Sequence, residues 1–204
     1  RCTSSAASDV YKRQDFDSYS VDLKLLNNEN ISLKSEGTVI AINEKPNLDL
    51  DLNFNDFDIS FIEKIGSNTL KNISSSISGQ VNLWGSYDNL QHNGNLILNK
   101  SKFLIPYLNI EYLINNNSEL ILYNQNIEFT NILITHSESD SFSSLDGNIN
   151  HTNFNDWNID LVFESDRLFI LNKDFDEDEN FYGKAYIDGQ ILSLIHISEP
   201  TRPN

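Results

Sequence analysis

Apolar and polar residues alternate along most of this chain. The clearest run, residues 47–61, places four apolar side chains on alternate positions: Leu48, Leu50, Leu52 and Phe54. A spacing of two predicts a β-strand with one apolar and one polar face, because a helix needs apolar residues three and four positions apart. After Asn55 and Asp56 the apolar set resumes one residue out of step at Phe57. The slip would reverse the two faces, so we expect a bulge or a turn there.

A second alternating run lies within residues 145–189. Its apolar positions are Trp157, Ile159, Leu161 and Phe163, with polar residues between most of them. Asp146-Gly147 precedes this run and Asp188-Gly189 closes it. Asp-Gly dipeptides favour tight turns, so we expect one turn on each side of the strand.

Short strands are predicted about every ten residues between positions 79 and 187. Turn residues separate them at 116–117, 124–125, 139–140 and 174–180, and Asn27-Asn28 predicts an earlier turn. Residues 61–73 are the one stretch where we expect a short helix. The pattern predicts an all-β fold, and it leaves open a sandwich, a barrel or an extended sheet that coils on itself.

Both ends of the chain differ from its interior. Residues 1–14 and 192–204 hold three of the four arginines, the one cysteine and half of the prolines. Both strings resemble translated sequencing adapters, so we expect non-native tails around a single domain at residues 15–191. We therefore also expect the natural termini to be missing from this chain.

Charge excludes two classes of partner. The whole chain has 30 acidic and 14 basic residues, and the ends hold two of the acidic and four of the basic ones. The interior is therefore left with 28 acidic and 10 basic residues, a net charge of −18. Such a surface repels phosphate groups, which disfavours nucleic acid and anionic lipid surfaces as partners. No run of about eighteen apolar residues predicts a membrane-spanning helix.

Candidate chemistry is sparse. The string that starts at Asp174 begins as a calcium loop does, but Glu179 and Ala185 stand where that loop needs glycine and glutamate. A solvated turn is the simpler interpretation. His92, His136 and His151 lack the spacing of metal ligands, and for His151 we expect a structural hydrogen bond near a turn. We predict no enzyme activity, no metal and no cofactor.

Four segments resemble the C-terminal domain of the TamB family, the translocation and assembly module proteins of Gram-negative envelopes. They are G-x-I-x-H-x-x-F-x-D-W at 147–157, RLFILN at 167–172, FYGKAYIDG at 181–189 and the glycine-spaced strands with IPYLNIEY at 78–112. The resemblance spans residues 57–191. It implies a U-shaped β-sheet trough with an apolar interior, in a periplasmic protein anchored to the inner membrane through its missing N-terminal part.

The resemblance also implies a function. The trough would carry phospholipid between the inner and outer membranes and support outer-membrane protein assembly and secretion, with a TamA- or BamA-type barrel as partner. Transfer of a sixteen-carbon acyl chain from a bilayer into water costs roughly 12 kcal/mol at ~0.8 kcal/mol per CH₂, which an apolar groove offsets. The candidate groove residues are Leu48, Leu50, Leu52, Phe54, Leu96, Leu98, Ile127, Phe129, Ile132, Ile134, Trp157, Ile159, Leu161, Phe163, Leu168 and Ile170.

Two alternatives stay open. Alternating apolar residues on a sheet pack more often into a sandwich core than around a ligand, and the resemblance is what favours the groove. The second functional class is a secreted carbohydrate-active or carbohydrate-binding β-helix or β-sandwich. That class needs a row of exposed aromatic residues and clustered carboxylates on one face.

Overall fold

The computed structural model describes residues 17–42, 45–64, 71–136, 139–154, 156–175 and 182–197. Within them the protein is all-β, with eleven strands in one antiparallel sheet. The strands are β1 (Asp17–Asn27), β2 (Asn30–Ile42), β3 (Lys45–Asp58), β4 (Lys71–Ser86), β5 (Asn89–Ile105), β6 (Ile110–Ile114), β7 (Ser118–Asn124), β8 (Asn126–His136), β9 (Ser139–Thr152), β10 (Asp156–Lys173) and β11 (Gly183–Ile197).

Strand order in the sheet follows chain order. Each strand pairs with the next, except that β6 and β7 share one position between β5 and β8. There β7 pairs with the first part of β5 (His92–Leu98), and β6 pairs with its last part (Ser101–Ile105). At about 4.8 Å per strand, the ten positions span roughly 43 Å. The prediction of an extended all-β sheet is confirmed.

The strands are longer than the sequence pattern predicts. Segments predicted as separate strands merge within β5, β8 and β10. Bulges lie between the merged segments, where Lys100, Asn131 and Arg167 take positive φ values of 47°, 50° and 73° inside their strands. The bulge expected after Asn55 is confirmed, with Asp56 at φ 47° and a register shift between Phe54 and Phe57.

Neighbouring side chains stabilise three of these bulges. A bulged residue loses its partner in the ladder, so its N–H needs another acceptor. Asn131 N donates to Asp146 Oδ1 at 2.7 Å and Lys100 N donates to Asn116 Oδ1 at 2.8 Å. Asp56 N donates to Ser78 Oγ at 3.0 Å.

The prediction of turns at the two Asp-Gly dipeptides is wrong. Gly147 lies inside β9 and Gly189 inside β11. Gly147 has φ +131°, and an added Cβ would lie 2.2 Å from Asp160 O on β10. Glycine is therefore required there by the close approach of two strands inside the sheet, and it marks no turn.

The other predicted turns had mixed outcomes. Turns at 116–117 and at Gln125 are confirmed, and the first hairpin turns at Asn28-Glu29, one residue later than expected. The turn at 139–140 is wrong, because Ser139 already pairs with His136 at the start of β9. Of the acidic segment 174–180, only Asp174 and Phe175 lie within the described residues, and both are outside strands.

The structure agrees only in part with the helix and the tails that we expected. A short 3-10 helix covers Ser60–Lys64, and β4 already begins at Lys71, so no helix reaches residue 73. The tail at 1–14 lies outside the described residues. At the other end β11 continues past residue 191 to Ile197, and its last residues pair with Trp157–Asp160 of β10. The origin of the two terminal strings stays a prediction.

The buried core lies beyond the bulges, at one end of the sheet. Its buried members come from β6, β8, β9 and β10: Ile110, Tyr112, Ile132, Ile134, Leu145, Leu168 and Phe169. The last part of β10 has lost β9 as a partner and folds over β6, where Asn172 N donates to Leu108 O at 3.0 Å. The sheet thus curls back on itself at this end.

Candidate functional site

One face of the sheet, which we call the inner face, carries the predicted groove residues. Cross-strand partners in an antiparallel ladder point to the same side. One continuous row of partners runs across seven strands: Leu52, Val81, Gly94, Leu122, Ile127, Ile149 and Ile159. A second row joins Phe54, Gly79, Leu96, Leu120, Phe129, Gly147 and Leu161. The predicted residues of β3, β5, β8 and β10 therefore share a surface.

Bulges keep the apolar residues on this face. Between Phe129 and Ile132, as between Leu98 and Ser101, the alternation slips by one residue, and each bulge restores it. Beyond the bulge of β8, Ile132 pairs with Leu145, which pairs with Phe163. The sixteen predicted residues consequently lie on the inner face, although sequence alone did not show how the halves of β5, β8 and β10 align.

Exposure falls across the inner face from the edge strand to the curled end. Tyr19 on β1 is 58% exposed, whereas Ile132 is 1% exposed. Among the predicted groove residues Leu98, Ile132, Ile134 and Leu168 are buried, and the other twelve are half-buried. The described strands all belong to one sheet, so no second sheet formed by them covers this face. One end of the groove is therefore open and the other is closed.

An apolar cavity of about 300 Å³ lies at the closed end. Its lining comes from β5, the turn after it, β6, β8, β10 and β11: Phe103, Ile105, Leu108, Tyr112, Ile134, Phe163, Leu168, Ile170 and Ile191. Engineered apolar cavities of about 150 Å³ stay dry and accept a small hydrocarbon, so this space suits a hydrocarbon segment. Three of the predicted residues on β10 and one on β8 contribute to its wall.

A hydrogen bond joins β6 to β10 beside the cavity. Tyr112 on β6 donates its hydroxyl hydrogen to Phe169 O on β10 at 2.8 Å. Tyr112 is 5% exposed, and its burial raises the pKa of the phenol to about 12. The phenol therefore stays protonated at neutral pH and keeps its donor.

The opposite, outer face is polar. Asp49, Asp51 and Asp160 alternate with inner-face residues and are exposed. A shallow cleft of about 820 Å³ crosses this face over β2–β5 and β7, and its polar lining includes Glu36, Asp51, Asn82, Asn95 and Glu119. Asn95 Nδ2 donates to Glu119 Oε1 at 2.6 Å, and Asn82 Nδ2 donates to Asp51 Oδ1 at 3.2 Å. Part of the hydrogen-bonding capacity of the cleft is thus already used.

Sequence reasoning missed a pair of histidines. His92 on β5 and His151 on β9 are 59 residues apart, yet their Nε2 atoms lie 2.8 Å from each other. Both side chains are buried, and Phe154 N donates to His151 Nδ1 at 3.2 Å. The structural hydrogen bond expected for His151 near a turn is confirmed. No signal in the sequence joined the two rings, because strand alignment had to be known first.

Other chemistry is limited within the described part of the chain. No group of three or more histidine, cysteine, aspartate or glutamate side chains in the described ranges could hold a metal ion. The calcium-like string falls mostly outside those ranges. Within the residues that the structure describes, no helix has the length and apolar character needed to cross a bilayer.

Comparison of the chain with protein-family models, with curated proteins and with solved structures finds no match. The likeness to the TamB family therefore rests on the four segments quoted above and stays a prediction.

Proposed function

We propose that this chain is a non-enzymatic part of a TamB-like envelope protein, whose inner face carries phospholipid acyl chains between the inner and outer membranes. In this proposal the full-length protein is periplasmic, is anchored to the inner membrane, and works with an outer-membrane assembly barrel of the TamA or BamA type. By the same proposal, it supports outer-membrane protein assembly and secretion.

The observation that carries the proposal is one continuous apolar face on a single-layer sheet. Apart from the buried Leu98, the predicted groove residues on β3 and the first parts of β5, β8 and β10 are half-buried, which leaves them accessible to a ligand. A hydrocarbon chain laid on this surface would remove apolar area from water on both sides, at about 25 cal/mol per Å². The exposed carboxylates of the outer face, such as Asp49 and Asp51, would keep the loaded protein in water.

The closed end supports one orientation for the bound acyl chain. The cavity of about 300 Å³ has an almost wholly apolar lining, so it suits the methyl end of an acyl chain. The exposed inner side of β1, with Tyr19, Leu23 and Leu25, lies at the opposite edge of the sheet. A headgroup would remain outside the groove, because the cost of burying a phosphate away from water is large.

The test measures phospholipid bound to the purified protein. The chain is incubated with vesicles of phosphatidylethanolamine and phosphatidylglycerol, separated from them, and its bound lipid is quantified by mass spectrometry. We expect bound phospholipid in the unmodified chain and its loss in the double variant Leu50→Glu/Ile159→Glu, which places two carboxylates on the inner face.

A matched control adds the same two charges to the outer face. Asn53 and Asn158 neighbour the inner-face positions on β3 and β10 and point the other way, so Asn53→Glu/Asn158→Glu should bind lipid normally. Circular dichroism checks that both variants keep their β-structure. Equal lipid binding by the two double variants, or absence of lipid from the unmodified chain, would refute the proposal.

The second candidate is carbohydrate binding on the outer face. The cleft of about 820 Å³ favours it, because planar amides and carboxylates hydrogen-bond sugar hydroxyls. Its lining contains no aromatic side chain for stacking on a sugar ring. Glycan-array binding that is lost in Asp51→Ala but kept in Leu50→Glu/Ile159→Glu would favour this function over lipid transfer.

A further inference from the structure

The β7–β8 hairpin leaves a gap in the sheet at its tip. The hairpin turns at Gln125, while its neighbours β5 and β9 extend past that point. Side chains and a turn bridge the gap in place of a strand. Leu90 N donates to Asn153 Oδ1 at 2.9 Å, Asn153 N donates to Gln125 Oε1 at 2.9 Å, and His151 N donates to Gln125 O at 3.0 Å.

The His92–His151 pair forms the inner layer of this bridge. His92 is 2% exposed and His151 is 5% exposed. Phe154 stacks on the His151 ring with centroids 4.2 Å apart, and Trp157 lies 4.9 Å from the same ring. We call the group of Gln125, Asn153, Phe154 and the two histidines the hairpin-tip cap.

The hydrogen bonds define where the protons sit. His151 Nδ1 accepts from Phe154 N–H, so the neutral His151 ring carries its proton on Nε2. That proton points at His92 Nε2, 2.8 Å away, which must then be the acceptor. His92 consequently carries its proton on Nδ1, a buried atom with no hydrogen-bond partner on another residue.

No site remains for a further proton. Protonation of His92 at Nε2 would set two N–H groups against each other, and protonation of His151 at Nδ1 would oppose the N–H of Phe154. Either event breaks one of the two hydrogen bonds that hold the pair. A buried imidazolium would also need a counter-charge.

The surroundings of the two histidines supply no counter-charge. His92 pairs across the sheet with Leu83 on β4 and Asn124 on β7, and His151 pairs with Trp157 on β10. The nearest carboxylates along the chain are Asp88, Asp146 and Asp156. None is bonded to a ring. Asp88 forms an ion pair with Lys45, and Asp146 accepts a hydrogen bond from Asn131 N.

Electrostatics agrees with the geometry. Burial lowers the pKa of His92, and burial together with repulsion from His92 lowers the pKa of His151 to about 4. An exposed histidine titrates near 6.5. An open cap would therefore bind protons that the closed cap rejects, and falling pH shifts the equilibrium towards the open form.

We propose that the His92–His151 pair is an acid-sensitive latch, which joins β5 to β9 at neutral pH and releases the hairpin-tip cap on protonation. Release separates the β9–β10 turn from the start of β5 and widens the inner face at this end. The proposal concerns the conformation of the protein and is independent of whether the groove holds lipid.

Nuclear magnetic resonance of the imidazole nitrogens in the full chain tests the latch. At pH 7.5 we expect the Nε2–H tautomer for His151 and the Nδ1–H tautomer for His92. On acidification to pH 4.5, hydrogen exchange at Leu90, Asn153 and Phe154, corrected for intrinsic rates, should rise by about 70-fold relative to pH 7.5. This factor follows for one group whose pKa is about 4 in the closed cap and about 6.5 in the open cap. Exchange in the core strand β8 should stay unchanged.

Two variants separate the latch from general acid sensitivity. His92→Gln/His151→Gln keeps hydrogen-bonding atoms near the Nε2 positions and removes both titrating groups, so its cap should show less than a twofold pH effect. His136→Gln alters another buried histidine and should keep the full effect. Titration of both rings near 6.5 in the unmodified protein, or a cap that stays protected at pH 4.5, would overturn the proposal even without the variants.

Discussion

Gly147 and Gly189 form a matched pair that measures how tightly β9 and β10 approach each other. Both glycines lie inside strands at positive φ, +131° and +119°. They differ in their surroundings, because a Cβ on Gly147 would lie 2.2 Å from Asp160 O, whereas a Cβ on Gly189 would meet nothing within 4 Å. Substitution of each by alanine therefore separates backbone strain from the steric clash.

The expected costs follow from these two terms. Positive φ in this region costs an alanine about 1–3 kcal/mol at either position. At Gly147 the strands must also separate by about 0.8 Å to bring the contact to 3.0 Å, and such overpacking adds about 1–3 kcal/mol. We expect Gly147→Ala to lose about 2–6 kcal/mol and Gly189→Ala about 1–3 kcal/mol of the free energy of unfolding.

Urea unfolding followed by the fluorescence of Trp84 and Trp157 measures both losses. A domain with a total stability of about 5–15 kcal/mol should tolerate the change at Gly189 better than the change at Gly147. Equal losses in the two variants would refute the reasoning, because they would mean that the carbonyl of Asp160 does not restrict Gly147.

Two further predictions concern the closed end. Tyr112→Phe removes the hydrogen bond to Phe169 O and should lower the free energy of unfolding by about 1–2 kcal/mol. The pKa of Tyr112 is about 12 in the folded protein and 10 in the unfolded chain. The unmodified protein should therefore lose stability between pH 10 and 12, more steeply than the variant. Chemical unfolding across that pH range checks both points, and parallel pH curves would contradict them. Ile132→Ala should lower the free energy of unfolding by about 2–5 kcal/mol, because Ile132 is 1% exposed. Ile121 lies on the outer face and is 38% exposed, so Ile121→Ala should cost less than about 1 kcal/mol. Thermal unfolding compares the two variants, and similar losses would argue against a buried core at Ile132.

Local spacing was enough to predict which residues share a face within one uninterrupted strand. The period of two at Leu48–Phe54 depends only on the alternation of a strand, so it held, and the slip at Phe57 correctly indicated a bulge. The bulges at Lys100, Asn131 and Arg167 were missed, because a residue at positive φ inside a strand looks in sequence like a break between two strands. The Asp-Gly dipeptides failed for a related reason, since their glycines satisfy contacts between strands.

Contacts between distant strands could not be predicted from spacing. The apolar cavity needs β10 to fold over β6, and nothing in either strand alone specifies that approach. The His92–His151 pair likewise depends on the length of the β7–β8 hairpin, which determines where β5 and β9 meet. Periodicity therefore predicted the apolar face, and long-range registration determined its closed end and its cap.

Because strand order in the sheet follows chain order, most stabilising contacts join neighbours in the chain. Repeat proteins, whose units also contact only their neighbours, behave as one-dimensional arrays in which stability is approximately a sum of repeat and nearest-neighbour terms, and we expect the same of this sheet. Fraying should then begin at the two edge strands, β1 and β11, which each have a partner on one side only, and from β1 it should stop where β6 and β10 are joined. The sheet should therefore open most readily at its free edges and last where β6 and β10 are joined.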